Sequence, residues 1–322
     1  MRILPGFLPE DAAVPPRDAL RRLPPQGPAG APEAGQEIVS PERKGAVQIA
    51  AAAILWSTGG LAIKELDLPP LTIIFHRAWI ATIVLFLLLR PRRTRITPTL
   101  GASVFVYAGM VISFVVATKW TTAANAIFLQ NSGIVWVLLF SPLIARDAIR
   151  GRDVAAASAC LAGMALFFVG RLSAQGMAGN GVALVSGGFY AATVLLLRRQ
   201  RGSASEWTAI GGNALGALAA FAAASHPFDV SIHELGILAF LGVVQIGVAY
   251  SLFVKGLEAI TAAEASIISL LEPVLNPIWV FLGVGERPTV FALAGGAIVV
   301  AAIVWRTLTT GSSPTGGIPT PD

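Results

Sequence analysis

Residues 71–89 read LTIIFHRAWIATIVLFLLL, an apolar run in which only His76 and Arg77 carry titratable side chains. A helix needs about 20 predominantly apolar residues to cross the hydrocarbon core of a bilayer. Lipid offers no hydrogen bonds to an open backbone, so a spanning segment must be a helix or part of a closed barrel. The run shows no alternation of period two and therefore predicts a membrane-spanning helix.

Nine further apolar runs follow the same pattern, separated by short charged or Gly- and Pro-rich breaks. With the first they make ten predicted spans: 46–65, 71–89, 100–118, 122–144, 154–169, 181–197, 206–225, 235–254, 262–282 and 289–305. Run 154–169 is short and run 206–225 is rich in Ala and Gly, so these two are the weakest. The predicted fold class is an all-α integral membrane protein with ten transmembrane helices.

The composition agrees with this fold class. The 322 residues are 55% hydrophobic and 13% charged, with a mean hydropathy of +0.71, whereas soluble domains are about 25% charged. These values exclude a soluble enzyme of this length and disorder of the whole chain. The net charge of +5 is interpreted as loop charge beside a membrane, so no nucleic-acid partner is expected.

The sequence offers little chemistry for catalysis or metal binding. Its single cysteine, Cys160, allows no internal disulfide and no thiolate metal site. Motifs for a phosphate-binding loop, a zinc protease or a serine hydrolase are absent from the sequence. We therefore expect no catalytic residue, no metal and no cofactor.

Both ends of the chain differ from its middle. Residues 1–45 hold nine of the 21 prolines and contain no long apolar run, which predicts a disordered Pro-rich cytoplasmic tail and no secretory signal peptide. Residues 307–322 are predicted to be a second flexible cytoplasmic tail.

The charges between the spans predict the orientation. If there are ten spans, fourteen Lys and Arg residues fall on the side of the termini when Arg43 and Lys44 are counted and the earlier residues of the tail are not, and four fall on the other side: Lys64, Lys119, Arg171 and Arg287. Cytoplasmic loops carry the excess of Lys and Arg. We therefore predict a multi-pass plasma-membrane protein with both termini in the cytoplasm.

The chain also repeats itself. TAANA at 122–126 matches TAAEA at 261–265 with an offset of 139, and the same offset pairs Asp147 with Glu286. An offset of 134 pairs Trp56 with Tyr190 and Lys64 with Arg198. Each half holds five spans, an odd number, so the second half must enter the membrane inverted. A 5+5 inverted-topology repeat is typical of transporters; the alternative is a duplication kept only for packing.

These residues resemble a known family. ASIISLLEPVLNPIW at 265–279, with Gly285-Glu286-Arg287 and Gly295-Gly296, is similar to the end of an EamA domain. A second similarity, to the start of such a domain, is carried by Leu55-Trp56-Ser57, Lys64 and Arg77. The chain thus resembles the EamA-type transporters of the drug/metabolite transporter superfamily, with two EamA-like repeats of five helices at 46–170 and 181–306.

The resemblance implies ten helices around a central cavity and the export or exchange of small metabolites, amino acids among them. One difference concerns the fourth span. Where the second half has Glu272-Pro273, the first has Gly133-Ile134. The sequence therefore does not predict a symmetric pair of broken helices; it offers the polar cluster Gln130-Asn131-Ser132 instead.

Charged side chains within spans indicate a cavity or a partner, since a charge at the membrane centre costs at least about 2.5 kcal/mol. Arg77 is a candidate to bind a substrate carboxylate as a bidentate fork; the alternatives are a structural ion pair or snorkelling to an interface. His76 is a candidate proton relay, or a packing histidine held by hydrogen bonds.

Glu272 lies near the middle of the ninth span. Pro273, Asn276 and Pro277 predict a kink with freed carbonyls around it, which favours a binding or coupling site. The alternative is a glutamate that caps the kink. A pairing of Arg77 with Glu272 is a further hypothesis.

Other polar and aromatic residues within spans complete the candidate cavity: Trp56, Tyr107, Gln130, Asn131, Tyr190, Asn213, Gln245 and Tyr250. Core packing and interhelical hydrogen bonds are the alternatives for each. Asn125 and Glu264 are interpreted as caps or interface residues, and Asp147 and Glu286 as interfacial anchors.

The resulting functional prediction is a transporter that moves a small organic metabolite, an amino acid or similar amphipathic solute, by alternating access. Export is favoured, with proton coupling through Glu272 or His76 as a hypothesis. The expected partners are the lipid bilayer and the small-molecule substrate. The alternatives are a membrane sensor or channel without substrate cycling and a membrane-embedded enzyme.

Overall fold

Helices account for all the regular structure among the residues that the computed structural model describes, which are 40–167, 169, 176–284 and 289–309. The all-α prediction is thereby confirmed for this part of the chain. The predicted tails lie outside the described residues, apart from 40–45 and 307–309.

The helices follow one another with short connections. In chain order they are α1 (Pro41–Trp56), α2 (Gly59–Glu65), α3 (Pro70–Leu89), α4 (Pro98–Trp120), α5 (Ala123–Asn131), α6 (Ile134–Ile144), α7 (Gly151–Phe167), α8 (Met177–Gln200), α9 (Gly202–Ala223), α10 (Ile232–Phe240), a π-helical segment (Leu241–Val248), α11 (Ala249–Ala259), α12 (Ala262–Ser269), α13 (Leu271–Val284) and α14 (Val290–Leu308).

Seven stretches of described helix are long and apolar enough to cross a bilayer: Pro41–Glu65, Pro70–Leu89, Pro98–Trp120, Asn125–Ile144, Met177–Gln200, Ile232–Ala259 and Val290–Leu308. The helix α7, with 17 residues, the Ala-rich α9 and the α12–α13 pair are not among them. The protein is therefore a multi-pass membrane protein, and the count of ten passes stays a prediction.

Helices of the two halves of the chain pack against each other. The most extensive contacts join α4 to α8 and α9, α3 to α9, α1 to α11, and α7 to α14. Each of these pairs takes one helix from residues before 170 and one from residues after 176. The two halves consequently share one core instead of forming separate domains.

The repeated TAA motif begins a helix in both halves. The Thr122 hydroxyl accepts a hydrogen bond from the Asn125 N–H at the start of α5, and the Thr261 hydroxyl accepts one from the Glu264 N–H at the start of α12. Threonine at this position satisfies one of the free N–H groups of a first helical turn. The caps are therefore the two threonines, whereas the side chains of Asn125 and Glu264 contact other helices.

Three helices are interrupted partway along their length. The first break separates α1 from α2 at Ser57–Thr58, the second separates α5 from α6 at Ser132–Gly133, and the third separates α12 from α13 at Leu270. The sequence predicts a kink in the ninth span and does not predict a symmetric pair of broken helices; the structure has breaks in both the fourth and the ninth span, and a further one in the first. Gly133 allows the second break without proline, because at this break the chain approaches α8 closely.

Close backbone contact at this break depends on Gly187 of α8. A Cβ atom at Gly187 would lie 2.8 Å from the Gln130 carbonyl oxygen, a backbone atom that cannot rotate away. At the neighbouring Gly188, a Cβ atom would meet nothing within 4 Å. The two adjacent glycines therefore have different roles.

We expect Gly187→Ala to lower the stability of the protein by about 1–3 kcal/mol through overpacking. Gly188→Ala should leave stability unchanged or raise it by up to about 1 kcal/mol, since Ala favours a helix more than Gly does. Thermal unfolding of both variants in detergent measures the difference. Equal melting temperatures for the two variants would contradict the close contact.

Candidate functional site

A buried cavity lies where the helix breaks meet. It is lined by Trp56, the last residue of α1; by Gln130 and Asn131, at the end of α5; and by Glu272, in the first turn of α13. Gln245, from the π-helical segment, faces it as well. Irregular backbone at membrane depth is tolerated where it lines a cavity or is buried in protein, and this arrangement agrees with that constraint.

The structure brings eight of the twelve sequence-predicted cavity residues into this lining: Trp56, Arg77, Gln130, Asn131, Tyr190, Gln245, Tyr250 and Glu272. The lining also contains four apolar residues that the sequence analysis missed: Met110, Val111, Phe114 and Ile246. In the sequence, nothing distinguishes these four residues from core residues, because spans are apolar throughout.

The cavity has a volume of about 40 Å³. A water molecule needs about 10–15 Å³ measured in this way, so about three waters fit. Ligand pockets for organic molecules usually measure about 300–1,000 Å³. In this structure the cavity is therefore smaller than the usual pocket for an organic ligand.

Arg77 of α3 is the cation of this site. It is only 2% exposed, and its Nε and Nη1 atoms are buried without a hydrogen-bond partner. The described residues contain no salt bridge between Arg77 and Glu272. The hypothesis of a direct ion pair is thus corrected: the two side chains line the same cavity but do not close on each other.

Glu272 supplies the acidic group of the lining and is 9% exposed. It precedes Pro273 in the first turn of α13, where the missing proline N–H needs no partner within the helix. The side chains of Asn276 and Pro277, predicted as part of the same site and kink, lie outside the described residues.

Gln245 is positioned by a glycine of the first helix break. A Cβ atom at Gly59 would collide with the Gln245 side-chain amide, so Gly59 leaves the space that this amide occupies. The Gln245 Oε1 atom is buried without a hydrogen-bond partner. The first break and the π-helical segment are therefore in direct contact at the cavity.

Aromatic side chains form one wall. The rings of Trp56 and Tyr250 lie 4.7 Å apart between centroids, and Phe253 lies 5.0 Å from Trp56. Tyr107 contacts Tyr250 edge-on at 5.0 Å, and its hydroxyl accepts a hydrogen bond of 3.0 Å from the Asn213 amide. Tyr107 and Asn213 thus support Tyr250 and are not themselves in the lining.

His76 is also outside the lining. Its Nε2 atom lies 2.7 Å from the Pro227 carbonyl oxygen in the connection after α9, and its Nδ1 atom accepts a hydrogen bond of 3.4 Å from Trp79. Neighbouring residues on a helix point about 100° apart, so Arg77 faces the cavity while His76 faces this connection.

Buried ion pairs hold the helix ends on one side of the cavity, here named the Arg198 end. Arg198, at the end of α8, contacts Asp147 at 3.1 Å and donates to the carbonyls of Leu257 and Glu258. The Asp147 carboxylate also accepts the Ala262 N–H at 2.9 Å. Asp147, interpreted from the sequence as an interfacial anchor, thus joins helix ends through a buried ion pair; Glu286 lies outside the described residues.

A second buried cluster lies at the same end. Arg306 of α14 contacts Asp153 of α7 at 2.5 Å and Glu264 of α12 at 3.5 Å. Both clusters join residues from the two halves of the chain, and they tie together the ends of α8, α11 and α14 and the starts of α7 and α12.

The opposite side, here named the Lys64 end, is held by hydrogen bonds. Lys64 donates to the Thr121 carbonyl at 2.8 Å, Lys119 to the Leu66 carbonyl at 2.7 Å, and Trp279 to the Ser57 hydroxyl at 2.7 Å. Trp279 also lines an apolar groove of about 690 Å³ between α2, α10 and α13.

We expect Asp147→Asn to destabilise the protein by about 3–5 kcal/mol, because it leaves the Arg198 charge buried without its partner. Asp147→Asn combined with Arg198→Gln should recover part of this loss. Thermal unfolding in detergent measures both, with Arg199→Gln as a control, since Arg199 is the exposed neighbour. Strictly additive losses in the double variant would refute the coupling.

A helical bundle with several membrane-spanning segments around a buried polar cavity defines a multi-pass membrane protein of the transport class. A model of the EamA-like transporter family matches residues 43–169 and again residues 177–308. The chain belongs to this family, as its sequence motifs predict, and it contains the family unit twice.

Two relatives from Archaeoglobus fulgidus are both described as uncharacterized transporters. One is 27% identical over 274 residues, covering 82% of this chain and 97% of the relative. The other is 25% identical over 264 residues, covering 77% and 90%. A solved structure, described only as the crystal structure of a protein, has a TM-score of 0.68 at 19% identity and covers 83% of this chain and 99% of its own. That structure supports the fold alone.

Proposed function

We propose that the protein is a carrier that moves a small amphipathic organic metabolite out of the cell across the plasma membrane by alternating access. It acts without catalysing a chemical reaction. The observation that carries this proposal is the small cavity at the meeting point of three broken helices, lined by Arg77, whose Nε and Nη1 atoms have no hydrogen-bond partner. A buried polar group without a partner costs about 1–3 kcal/mol, a cost that a ligand group removes.

The proposed topology has ten passes, arranged as two inverted sets of five with both termini in the cytoplasm. The contacts between helix ends support it. At the Arg198 end lie the ends of α8, α11 and α14, and at the Lys64 end lie the ends of α2 and α4. This alternation is the one that ten consecutive crossings produce, with the predicted Lys and Arg excess at the Arg198 end.

The different contacts at the two ends support alternating access. A carrier must open one end while the other stays closed, so each end needs contacts that can break independently of the other. Salt bridges at the Arg198 end and hydrogen bonds at the Lys64 end are separate sets of this kind. The cavity between them is narrow in this structure, with a volume of about 40 Å³.

The carrier proposal predicts counterflow in proteoliposomes. Vesicles loaded with an unlabelled solute should transiently accumulate the same labelled solute from outside. A binding site that has released unlabelled solute outside can bind labelled solute there and carry it inward. Screening a metabolite panel for such an overshoot identifies the substrate. A channel would equilibrate the label without overshoot and without saturation, and that result would exclude the carrier mechanism.

Proton coupling through Glu272 is part of the proposal, because this carboxyl group lies in the cavity beside Arg77, Tyr190 and Tyr250. Glu272→Gln keeps the shape of the side chain but cannot exchange a proton. We expect this variant to lose accumulation driven by a pH gradient and to keep counterflow.

The control for this prediction is Glu65→Gln, at the exposed end of α2. A double variant, Glu272→Gln with His76→Gln, tests both residues named by the sequence analysis. If the double variant still accumulates substrate against its gradient in proportion to the pH difference, proton coupling through these groups is wrong.

A further inference from the structure

The apolar groove between α2, α10 and α13 lies directly beside the central cavity. Trp56 lines the cavity and Thr58 lines the groove, and the residue between them, Ser57, is fully buried. The Trp279 indole N–H donates to the Ser57 hydroxyl at 2.7 Å, and this hydroxyl donates to the Ile54 carbonyl at 2.6 Å. A side-chain contact at the break between α1 and α2 therefore lies between the two spaces.

Two other elements also extend from the cavity to the groove. On α13, Glu272 lines the cavity and Trp279 lines the groove. Seven residues make close to two helical turns, which places both side chains on one face of α13, about 10 Å apart along its axis. Where α10 passes into the π-helical segment, Phe240 lines the groove and Gln245 lines the cavity. The groove thus continues the cavity along three elements.

The groove is large enough for an organic molecule and reaches the depth of the acyl chains. Its volume of about 690 Å³ falls within the usual range for ligand pockets, about 300–1,000 Å³. Phe240 lies eight residues into the span Ile232–Ala259, about 12 Å along the helix axis, and half of the hydrocarbon core is about 15 Å thick. Phe240 is 39% exposed and Leu282 is 68% exposed, so the groove is open towards lipid.

The titratable residues of the groove lie at the ends of its helices. Glu65 is the last residue of α2 and His233 is the second residue of α10, and both are exposed. Farther along the same two helices the lining is apolar, with Leu61, Ile237 and Phe240. A polar mouth above an apolar interior matches the boundary between head groups and acyl chains, where amphipathic molecules bind.

We propose that the groove is a lateral passage through which the carrier's amphipathic solute moves between the central cavity and the outer half of the bilayer, with Trp279 as the residue that closes it. This inference rests on the proposed carrier function and topology, and it names the route of the solute and the closing residue. In the structure the hydrogen bond between Trp279 and Ser57 keeps the passage closed. When this bond breaks and the indole ring turns away, the cavity and the groove become one space.

The test follows a cysteine placed in the lining of the central cavity, Val111→Cys, in a chain whose own buried cysteine is removed by Cys160→Ala. The full chain is reconstituted in proteoliposomes and treated with two maleimides. One carries an alkyl chain and dissolves in the bilayer, and the other is sulfonated and stays in the water. The rate at which each reagent alkylates the thiol is measured.

Removing the closing contact should open the passage. Ser57→Ala removes the acceptor of the Trp279 N–H and should raise the labelling rate of the bilayer-dissolved reagent about 2–10-fold, the range for the loss of one hydrogen bond. Trp279→Ala also removes the ring and should raise this rate at least as much. Trp305→Ala, at an exposed tryptophan of α14, is the matched control and should label as the parent chain does. The sulfonated reagent should keep its rate in all variants.

Two results would refute the lateral route. One is an unchanged rate in both Ser57→Ala and Trp279→Ala. The other is an equal increase for both reagents, which would show that the cavity opens to water instead of to lipid. If Trp279→Ala does not fold, Ser57→Ala decides alone.

Filling the groove provides an independent test. Gly236 lines the groove, and a Cβ atom at this position would meet nothing within 4 Å, so Gly236→Phe places a ring in the groove without displacing the backbone. Added to Ser57→Ala, this substitution should abolish the increase in labelling from the bilayer. Gly188→Phe, at a glycine of α8 with the same free space, is the control and should leave the increase intact. An increase that persists with Gly236→Phe would contradict the proposed route.

Counterflow separates the failure of this route from the failure of the carrier. A chain that shows counterflow and keeps it in Gly236→Phe would refute the lateral passage and keep the carrier. A chain that labels from the bilayer as expected, but shows no counterflow with any solute of the panel, would keep the passage and refute the carrier.

Discussion

The architecture depends on the inability of lipid to form hydrogen bonds. A backbone group left open to the hydrocarbon region costs several kcal/mol, so every interruption of a spanning helix must be enclosed by protein. In this molecule three breaks and one π-helical segment occur in different helices, and each contributes residues to one cavity. Polar side chains close to these interruptions, such as Gln130, Gln245 and Glu272, are thereby brought together at one place.

The buried arginines of the described chain are of two kinds. Arg198 and Arg306 lie at helix ends, where carboxylates and carbonyl groups of neighbouring helices reach them. Their partners come from both halves of the chain, so these residues hold the halves together. Arg77 lies farther along its helix, beside the breaks, and its environment supplies an acidic side chain without closing an ion pair. A charge kept open in this way is suited to a ligand that comes and goes.

Much of this fold could be predicted from the sequence, because membrane spans leave a strong and local signal. Apolar length and the repeated TAA motif predict helices and their starts, and Arg77 and Glu272 stand out as charges within spans. The breaks at Ser57–Thr58 and Ser132–Gly133 could not be predicted from proline, because neither contains one. They depend on close tertiary contacts, such as Gly59 with Gln245 and Gly133 with α8, which involve residues far apart in the chain.

Lys64 and Arg198, which occupy equivalent positions in the two repeats, also make similar contacts. Lys64, at the end of α2, donates to the carbonyl of Thr121, just after α4; Arg198, at the end of α8, donates to carbonyls near the end of α11. Each joins the end of the first span of its half to the end of the third. Arg198 differs in its additional ion pair with Asp147. Among the described residues, the Lys64 end is therefore joined by bonds from lysines to carbonyl groups, whereas the Arg198 end also contains buried ion pairs.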